Sequence, residues 1–348
     1  MQASSKTTLL VPTFNRPFHL RRLLKYYETS GFQGQIRILD SSEQNKGTAD
    51  EFSALHLTWQ HFDSEIGMLD KAQHGLSLVD TSYVQWCADD DFIDPIGITE
   101  CERFLESAPD YVAAQGKCVH FRVTGRSSAH VTPERIRDEP MFDVAADSSV
   151  ARLFQHVVNY RPTHYALQRT EQLTQDLNRV AQISGPSLTL LEPMHSFNCV
   201  VAGKVKRLPV SFEYREQHVQ RLSGRIPGWV DLITSEDWLG QFRILKDFVA
   251  DLLTRHGISE DRSRDLSLFA CQEWLKLYFD KYYVRKQEVA QILHQLHTAS
   301  PGQCQDSLAI RWRRRLGQVR KLIQRERCEC FPPNLLEAIQ VNAEVMYK

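Results

Sequence analysis

The sequence predicts an α/β protein: a mostly parallel sheet flanked by helices, with an α-helical subdomain toward the C-terminal end. Three observations predict it. Strand-like runs alternate with amphipathic helical runs over the first ~110 residues, a pattern that implies a parallel sheet with right-handed crossovers. Three of these strands end in polar residues: Thr13, Asn15 and Arg16 after the first, Asp40 and Ser41 after the second, and Asp89, Asp90 and Asp91 after the fourth. From about Asp231 the alternation gives way to helical spacing alone.

Taken in order, Thr7 to Pro12 reads as a buried strand and Thr13 to Pro17 as a turn. Pro17 opens a helix that carries Leu20, Leu23, Leu24 and Tyr27 at helical spacing, and Gly31 and Gly34 end it. Gln35 to Asp40 is the second strand, Thr48 to Leu55 a short helix, and His56 to Phe62 the third strand. A helix over Gly67 to Val79 leads into the strand Tyr83 to Cys87, and the three aspartates follow. Asp94 is placed as N-cap of the next helix, with Pro95 at its first position.

Composition narrows the class. Length, 348 residues, allows two domains, read here as 1–230 and 231–348. A hydrophobic content of 42% and a charged content of 24% suit a soluble globular chain. The net charge of −1 provides no basic field for nucleic acid. Eight cysteines are scattered without a CxxC pair, so neither a zinc ribbon nor a disulfide framework is indicated. The segment Met1 to Lys6 lacks the apolar core of a signal peptide, and no apolar run is long enough to span a bilayer. A cytoplasmic location is expected.

The aspartate run carries the chemistry. Three acids at the carboxyl end of an apolar strand repel one another, and a cation there relieves the repulsion. Mg²⁺ takes one or two carboxylates and completes its shell with substrate phosphates and water. Crevices outside the carboxyl ends of strands are where open α/β sheets bind ligands. An acidic turn capping the next helix is the plain alternative, but Asp94 alone does that job. The three polar strand ends suit a nucleotide: small polar groups for base and ribose, acids and a cation for the diphosphate. No P-loop and no GxGxxG follows the first strand, which speaks against a kinase or a dinucleotide enzyme.

The order of motifs resembles the family 2 glycosyltransferases, which have the GT-A fold. The resemblance rests on Leu9-Leu-Val-Pro-Thr-Phe-Asn-Arg-Pro17, Ile38-Leu-Asp-Ser-Ser42 and Ala88-Asp-Asp-Asp-Phe-Ile-Asp-Pro95. Leu191-Glu192 and the run from Gly203 to Arg215 add to it, so it covers roughly residues 7 to 220. It implies that Thr13, Asn15 and Arg16 lie in the nucleotide-binding loop and that Asp40 contacts the base. Lys71 and Arg215 join the nucleotide-sugar set, together with Asp89 and Asp90. The aspartate run matches an acidic motif that holds Mg²⁺ or Mn²⁺ against the diphosphate. Many members carry Asp-x-Asp-Asp, and here Ala88 stands in the first position. Either Asp89 and Asp91 form the ligand pair or Asp90 and Asp91 do. A late histidine, His218, is a further candidate ligand.

Beyond the acids, Tyr111 to Val123 reads as a long strand and 124–147 as a loop or flap. Tyr160 to Gln168 reads as a strand facing the site, with Arg161, His164 and Tyr165 as candidates for sugar or phosphate contact. Glu192 lies in an apolar, partly helical run that closes at Gly203. A lone carboxylate in apolar surroundings has a raised pKa, which suits a general base near neutral pH. The resemblance supports that role, although the usual partner acid is replaced by Pro193. Asp237, in Ser235-Glu-Asp-Trp238, is the alternative base; Ser235 as N-cap of a long helix explains those acids equally.

In the tail, Phe242, Leu245, Phe248, Val249 and Leu252 keep helical spacing, as do Leu266, Phe269 and Trp274. Residues 308–327 combine Leu308, Trp312, Leu316, Val319 and Ile323 with a basic face, so they suit either an anionic membrane surface or packing on their own domain. With these features, the resemblance implies a metal-dependent, inverting hexosyltransferase-type enzyme. It would move a sugar from a nucleotide-diphosphate donor, UDP-sugar first, to a hydroxyl of a glycan or lipid-linked acceptor in cell-surface polysaccharide synthesis. The location would be cytoplasmic, with peripheral contact at the inner face of the membrane. A sugar nucleotidyltransferase and a non-catalytic nucleotide-sugar-binding protein are the alternatives.

Overall fold

A computed structural model of the chain describes residues 6–43, 49–124, 130–136, 142–217 and 228–280. The first half follows the predicted alternation: β1 (Thr7–Thr13), α1 (Pro17–Thr29), β2 (Gln35–Asp40), a 3₁₀ turn (Ala49–Phe52), β3 (His56–His61), α2 (Met68–Ser77) and β4 (Tyr83–Trp86). Then come β5 (Asp91–Ile93), α3 (Pro95–Ser107), β6 (Tyr111–Thr124), β7 (His130–Ile136), α4 (Ser149–Val158) and β8 (Leu167–Arg169). The described chain closes with α5 (Thr170–Ala181), α6 (Leu188–Ala202), β9 (Lys204–Glu216), α7 (Trp229–Ile233), α8 (Trp238–Arg255) and α9 (Glu260–Phe279).

One sheet holds all nine strands, in the order β3-β2-β1-β4-β8-β6-β9-β5, with β7 beside β6. The block β3-β2-β1-β4 is parallel throughout. Chain order reverses across β1: β2 lies on one side and β4 on the other. That reversal opens a crevice at the carboxyl ends of β1 and β4, where open α/β sheets take ligands. β1 is buried on both faces, with Leu9, Leu10 and Val11 at 0% exposure, as a central parallel strand requires. α1 buries the predicted stripe of Leu20, Leu23, Leu24 and Tyr27 against it.

The other half of the sheet departs from the parallel rule. β8 runs antiparallel between β4 and β6, β9 runs parallel to β6, and β5 lies antiparallel to β9. The predicted strand Tyr160 to Gln168 shrinks to Leu167–Arg169, because a turn at His164 and Tyr165, closed by the Ala166 N–H to the Thr163 carbonyl at 2.9 Å, precedes it. Residues 124–147, read as a loop, contain β7, an antiparallel partner of β6. Its polar sequence hides a strand that lies off the main path of the sheet.

Helices α4, α6, α8 and α9 share a second apolar core around Leu153, Phe197, Phe248 and Trp274. The boundary read at residue 230 falls inside α7. Ser235 does not cap α8: its hydroxyl donates to the Leu232 carbonyl at 2.7 Å, and Asp237 stands at the N-cap position. Among the described residues, no helix is long and apolar enough to cross a membrane. Residues 308–327 and His218 lie outside the described residues.

Asp94 caps α3 as predicted: its Oδ1 accepts from the Ile96 N–H at 2.9 Å, while Oδ2 accepts from the Tyr214 hydroxyl at 3.0 Å. Gly97 lets that helix lie directly on β9. A Cβ there would stand 2.5 Å from the Ser211 carbonyl oxygen and 3.1 Å from the Phe212 Cα. In an open helix Gly→Ala stabilises by about 1 kcal/mol. Here the added methyl meets backbone that cannot rotate away, so the sign reverses. Gly97→Ala is expected to lower stability by about 1–3 kcal/mol, as overpacking does. Urea denaturation reads this directly, and an unchanged or raised midpoint would show that α3 does not approach β9 this closely.

Candidate active site

The crevice begins with a turn. β1 ends at Thr13, and Asn15 follows in a left-handed backbone conformation, φ 54°. Asparagine tolerates that region better than most residues. The Asn15 N–H donates to Ser42 Oγ at 2.8 Å, and Asn15 Oδ1 accepts from the Glu43 N–H at 3.2 Å. The turns after β1 and β2 are thereby fastened to each other. Asp40 is 3% exposed. Its Oδ1 accepts from the Ser42 N–H at 2.8 Å and the Ser42 hydroxyl at 2.6 Å, and Oδ2 accepts from Trp59 Nε1 at 3.3 Å. The residue assigned to the base thus also builds the wall that a base would meet.

This geometry aims Arg16 across the crevice. Its Nη1 donates to Asp89 Oδ1 at 2.6 Å and its Nη2 to Asp90 Oδ2 at 2.8 Å. Thr13 Oγ1 donates to the second Asp89 oxygen at 2.8 Å. The loop after β1 and the acids after β4 therefore form one polar unit. Lys71 reaches the same unit from α2, donating to Ser41 Oγ at 2.8 Å and the Thr13 carbonyl at 3.3 Å. It makes no ion pair among the described residues, and burial holds its pKa below the usual lysine value.

Asp91 faces the other way. It begins β5, opposite Arg215 on β9. Its Oδ1 accepts from the Glu216 N–H at 3.1 Å, and its Oδ2 lies 3.4 Å from Arg215 Nε. The Arg215 guanidinium also pairs with Glu213 and lies 4.8 Å from the centre of the Tyr165 ring. The structure thus brings Thr13, Asn15, Arg16, Asp40, Lys71, Asp89, Asp90, Asp91, Arg215 and Tyr165 into one neighbourhood.

Arg22, Glu213 and Glu216 escaped the sequence reading. Arg22 is 3% exposed on α1, ion-pairs with Glu216 and donates to the Asp90 carbonyl at 3.3 Å. Its neighbour Arg21 pairs at the surface with Glu51, and an Arg-Arg pair on a helix reads as solvated. Only the tertiary fold shows that one of the two turns inward.

Glu192 lies on α6, where its Oε1 accepts from the Tyr160 hydroxyl at 3.1 Å. One turn later, His195 meets Gln168 at 3.1 Å, and burial lowers its pKa to about 4. Asp237 sits across from the start of α6, accepting from Gln241 at 2.7 Å, while Gln241 accepts from the Ser187 N–H at 2.8 Å. Both candidate bases therefore flank the N-terminal end of one helix.

Charge decides what the acids can hold. Among the described residues, the ion pairs of this cluster join five carboxylates (Asp89, Asp90, Asp91, Glu213 and Glu216) to three guanidiniums (Arg16, Arg22 and Arg215). The excess is negative and buried. Burial raises the Asp89 pKa from an ordinary 3.8 to about 7, although Arg16 and Thr13 pull it down. Burial also raises Asp91 well above the usual range, against Arg215. Burial disfavours the Arg16 charge, yet Asp89 and Asp90 hold its pKa above the usual value. Among the described residues, no three or more His, Cys, Asp or Glu side chains are gathered to coordinate a metal. The chemistry of the donor set still fits a hard divalent cation, because oxygen donors in negative excess are what such ions take.

No family model matches the sequence, and neither does any curated protein. Solved structures do match. S. aureus TarS 1–349 in complex with UDP-GlcNAc aligns with a TM-score of 0.54 at 14% identity, over 79% of this chain and 72% of that one. A second structure of TarS 1–349 aligns at 0.52 and 14% identity, over 80% and 73%. TarS is a glycosyltransferase. At this identity the likeness is one of fold: the chain has the fold of a glycosyltransferase.

The raised carboxyl of Asp89 has a consequence for stability. An acid with a higher pKa folded than unfolded contributes stability that is full below the unfolded value and falls as pH rises toward the folded one. For Asp89 that window runs from 3.8 to about 7. Free wild-type protein is expected to lose stability relative to Asp89→Asn across this window, by up to a few kcal/mol. Denaturation of both proteins at pH 4, 5.5, 7 and 8 measures it. Parallel pH profiles would show that folding does not raise the Asp89 pKa.

Proposed function

We propose that this chain is a glycosyltransferase that takes a nucleotide-diphosphate sugar as donor and a hydroxyl as acceptor. The observation that carries the reading is the meeting of three strand ends. Thr13 and Arg16 after β1, Asp40 after β2 and Asp89 to Asp91 after β4 share one crevice at the reversal of the sheet. The likeness to a TarS structure in complex with UDP-GlcNAc makes a UDP-sugar the first donor to try.

In this reading the wall formed by Asp40 and Trp59 receives the base. The cations Arg16 and Lys71 face the diphosphate. Arg16 can exchange an aspartate for a phosphate oxygen, since its fork suits either group. Asp91, with Asp89 or Asp90, would hold Mg²⁺ or Mn²⁺, with His218 as a further candidate ligand. A cation bound there would offset the charge that develops on the leaving diphosphate. Arg215, stacked on Tyr165, borders the same acids on the far side and keeps Asp91 oriented.

The acceptor enters from the side of α6. Glu192 takes the proton of the attacking hydroxyl, and the anomeric centre inverts. The Tyr160 hydroxyl holds the Glu192 carboxylate in place for that transfer. Asp237 is the alternative base. The acceptor is a glycan or a lipid-linked glycan of cell-surface polysaccharide synthesis. Residues 308–327 would bring a cytoplasmic enzyme to the inner face of the membrane, where a lipid-linked acceptor resides.

Donor binding tests the first half of this reading. Calorimetry with UDP-, GDP-, CMP- and dTDP-sugars in Mn²⁺ is expected to give saturable binding for one nucleotide. Binding should weaken at least tenfold in EDTA and in Asp91→Ala, the loss of one charge-assisted contact or more. If no nucleotide binds under any metal condition, the glycosyltransferase reading fails at its first step.

The base is tested by rate. Glu192→Gln is expected to lower kcat by about 10²–10⁴ while leaving donor affinity unchanged, as loss of a general base does. Asp237→Asn should then stay within a few-fold of wild type. The reverse pattern would transfer the role to Asp237. Donor binding without turnover on any acceptor would favour the non-catalytic alternative.

A further inference from the structure

A second charged group lies deeper along the same face of the sheet. Ala113 on β6 and Val205 on β9 belong to a small apolar core under α6, with Cys199 and Val200. Two residues further along each strand stand Gln115 and Arg207, which are register partners. Alternate residues share a face, so this pair also looks toward α6. Arg207 is only 6% exposed and Gln115 only 7%.

Arg207 is a buried cation with little to hold it. Its guanidinium makes one hydrogen bond among the described residues, from Nη2 to the Arg161 carbonyl at 3.3 Å. No carboxylate forms an ion pair with it there. Asp143 accepts the Arg207 backbone N–H at 2.9 Å and gives its other oxygen to Lys206 at 2.6 Å. Arg161 stands beside it with a charge of the same sign. Burial, and then the Arg161 charge, push the Arg207 pKa down to about 10, so Arg207 is still a cation at neutral pH. Across the strand, Gln115 Oε1 is buried without a partner. A buried charge is costly unless something pairs with it, and a second like charge raises the cost.

The position connects this group to the crevice. Arg161 begins the short loop that carries His164 and Tyr165, and Tyr165 lies under Arg215. His164 Nδ1 is buried and unpartnered in the same loop. From Gln115 to His120, the partner of Arg215, β6 advances at most ~16 Å. An extended acceptor lying along α6 toward Asp91 can reach both ends of that span.

We propose that Arg161 and Arg207, with Gln115 beside them, form an oxyanion subsite for a phosphate or carboxylate group carried by the acceptor. Guanidinium forks match both groups, and an anion there supplies the opposite charge that Arg207 lacks among the described residues. The acceptor is then an anionic glycan or glycan phosphate rather than a neutral sugar chain. This rests on the glycosyltransferase reading for the word acceptor, but the anion subsite itself does not.

Inorganic phosphate is the probe, with sodium acetate as the carboxylate arm and sodium chloride at matched ionic strength as the control. The full chain is first saturated with UDP and Mn²⁺, so that the diphosphate crevice is filled. Calorimetry and thermal shift are then expected to show a further phosphate- or acetate-binding event absent in chloride. Arg207→Gln and Arg161→Gln should each weaken that event at least tenfold with UDP affinity unchanged. Arg161 is half-buried, so its variant keeps the test alive if Arg207→Gln does not fold. The stronger of the two anion arms names the group. An anion event that survives both substitutions, or none at all, overturns the subsite. If UDP does not bind, the donor reading fails, and the same titration without UDP still decides whether Arg161 and Arg207 hold an anion.

Discussion

The fork of Arg16 across Asp89 and Asp90 is the interaction on which the crevice depends. It joins the end of β1 to the end of β4, where the order of the parallel strands reverses. Without it, two buried aspartates would face each other in a low-dielectric pocket, and each would protonate or push the loop open. The fork also explains why Asn15 accepts a left-handed backbone. The turn must bring residue 16 back over the strand end, and fastening it to Ser42 holds that shape. In the proposed function a diphosphate would compete for the same guanidinium.

Asp91 belongs to a different part of the fold. Its neighbours Asp89 and Asp90 answer to the parallel block, whereas Asp91 starts β5 and is tied to β9 through Arg215 and the Glu216 N–H. The acidic run therefore spans a seam between the parallel half of the sheet and the half built by β6, β8 and β9. A ligand touching all three acids would connect the two halves. The gathering of carboxylates at that seam makes a cation or a cationic ligand group favourable there, and burial raises the Asp89 pKa to about 7.

The parallel half was legible because its signals are local. Buried strands such as Leu9 to Val11 read as apolar runs, α1 shows its stripe every three or four residues, and Asp94-Pro95 announces a helix start. Residues 2 to 4 positions apart settle each of these. The antiparallel half was less legible because its pairings are long-range and its strands are short or polar. β5 and β8 have three residues each, too few for a period, and β7 carries Pro133. For the site, the acids and Arg16 stood out because they break an apolar pattern at strand ends. Arg22, Glu213 and Glu216 did not, since a charged residue in a helix or a strand of mixed polarity reads as solvated until the tertiary fold buries it. Glu192 stood out by its apolar neighbours in sequence, and the structure adds the Tyr160 hydroxyl as a donor to its carboxylate.

The two ends of β9 show how the same residue type takes different meanings from its partners. Arg215 is matched: although burial disfavours its charge, Glu213 and Asp91 hold its pKa well above the usual value. Arg207, on the same strand, is unmatched, and burial brings its pKa down to about 10. Sequence alone cannot separate them, because both are arginines in the Gly203 to Arg215 run. The distinction arises from what the rest of the fold places opposite. β5 delivers Asp91 to one, whereas the Arg161 loop delivers a carbonyl and another cation to the other. A charge answered within the protein orients an acid. A charge left unanswered within the protein is available to a ligand.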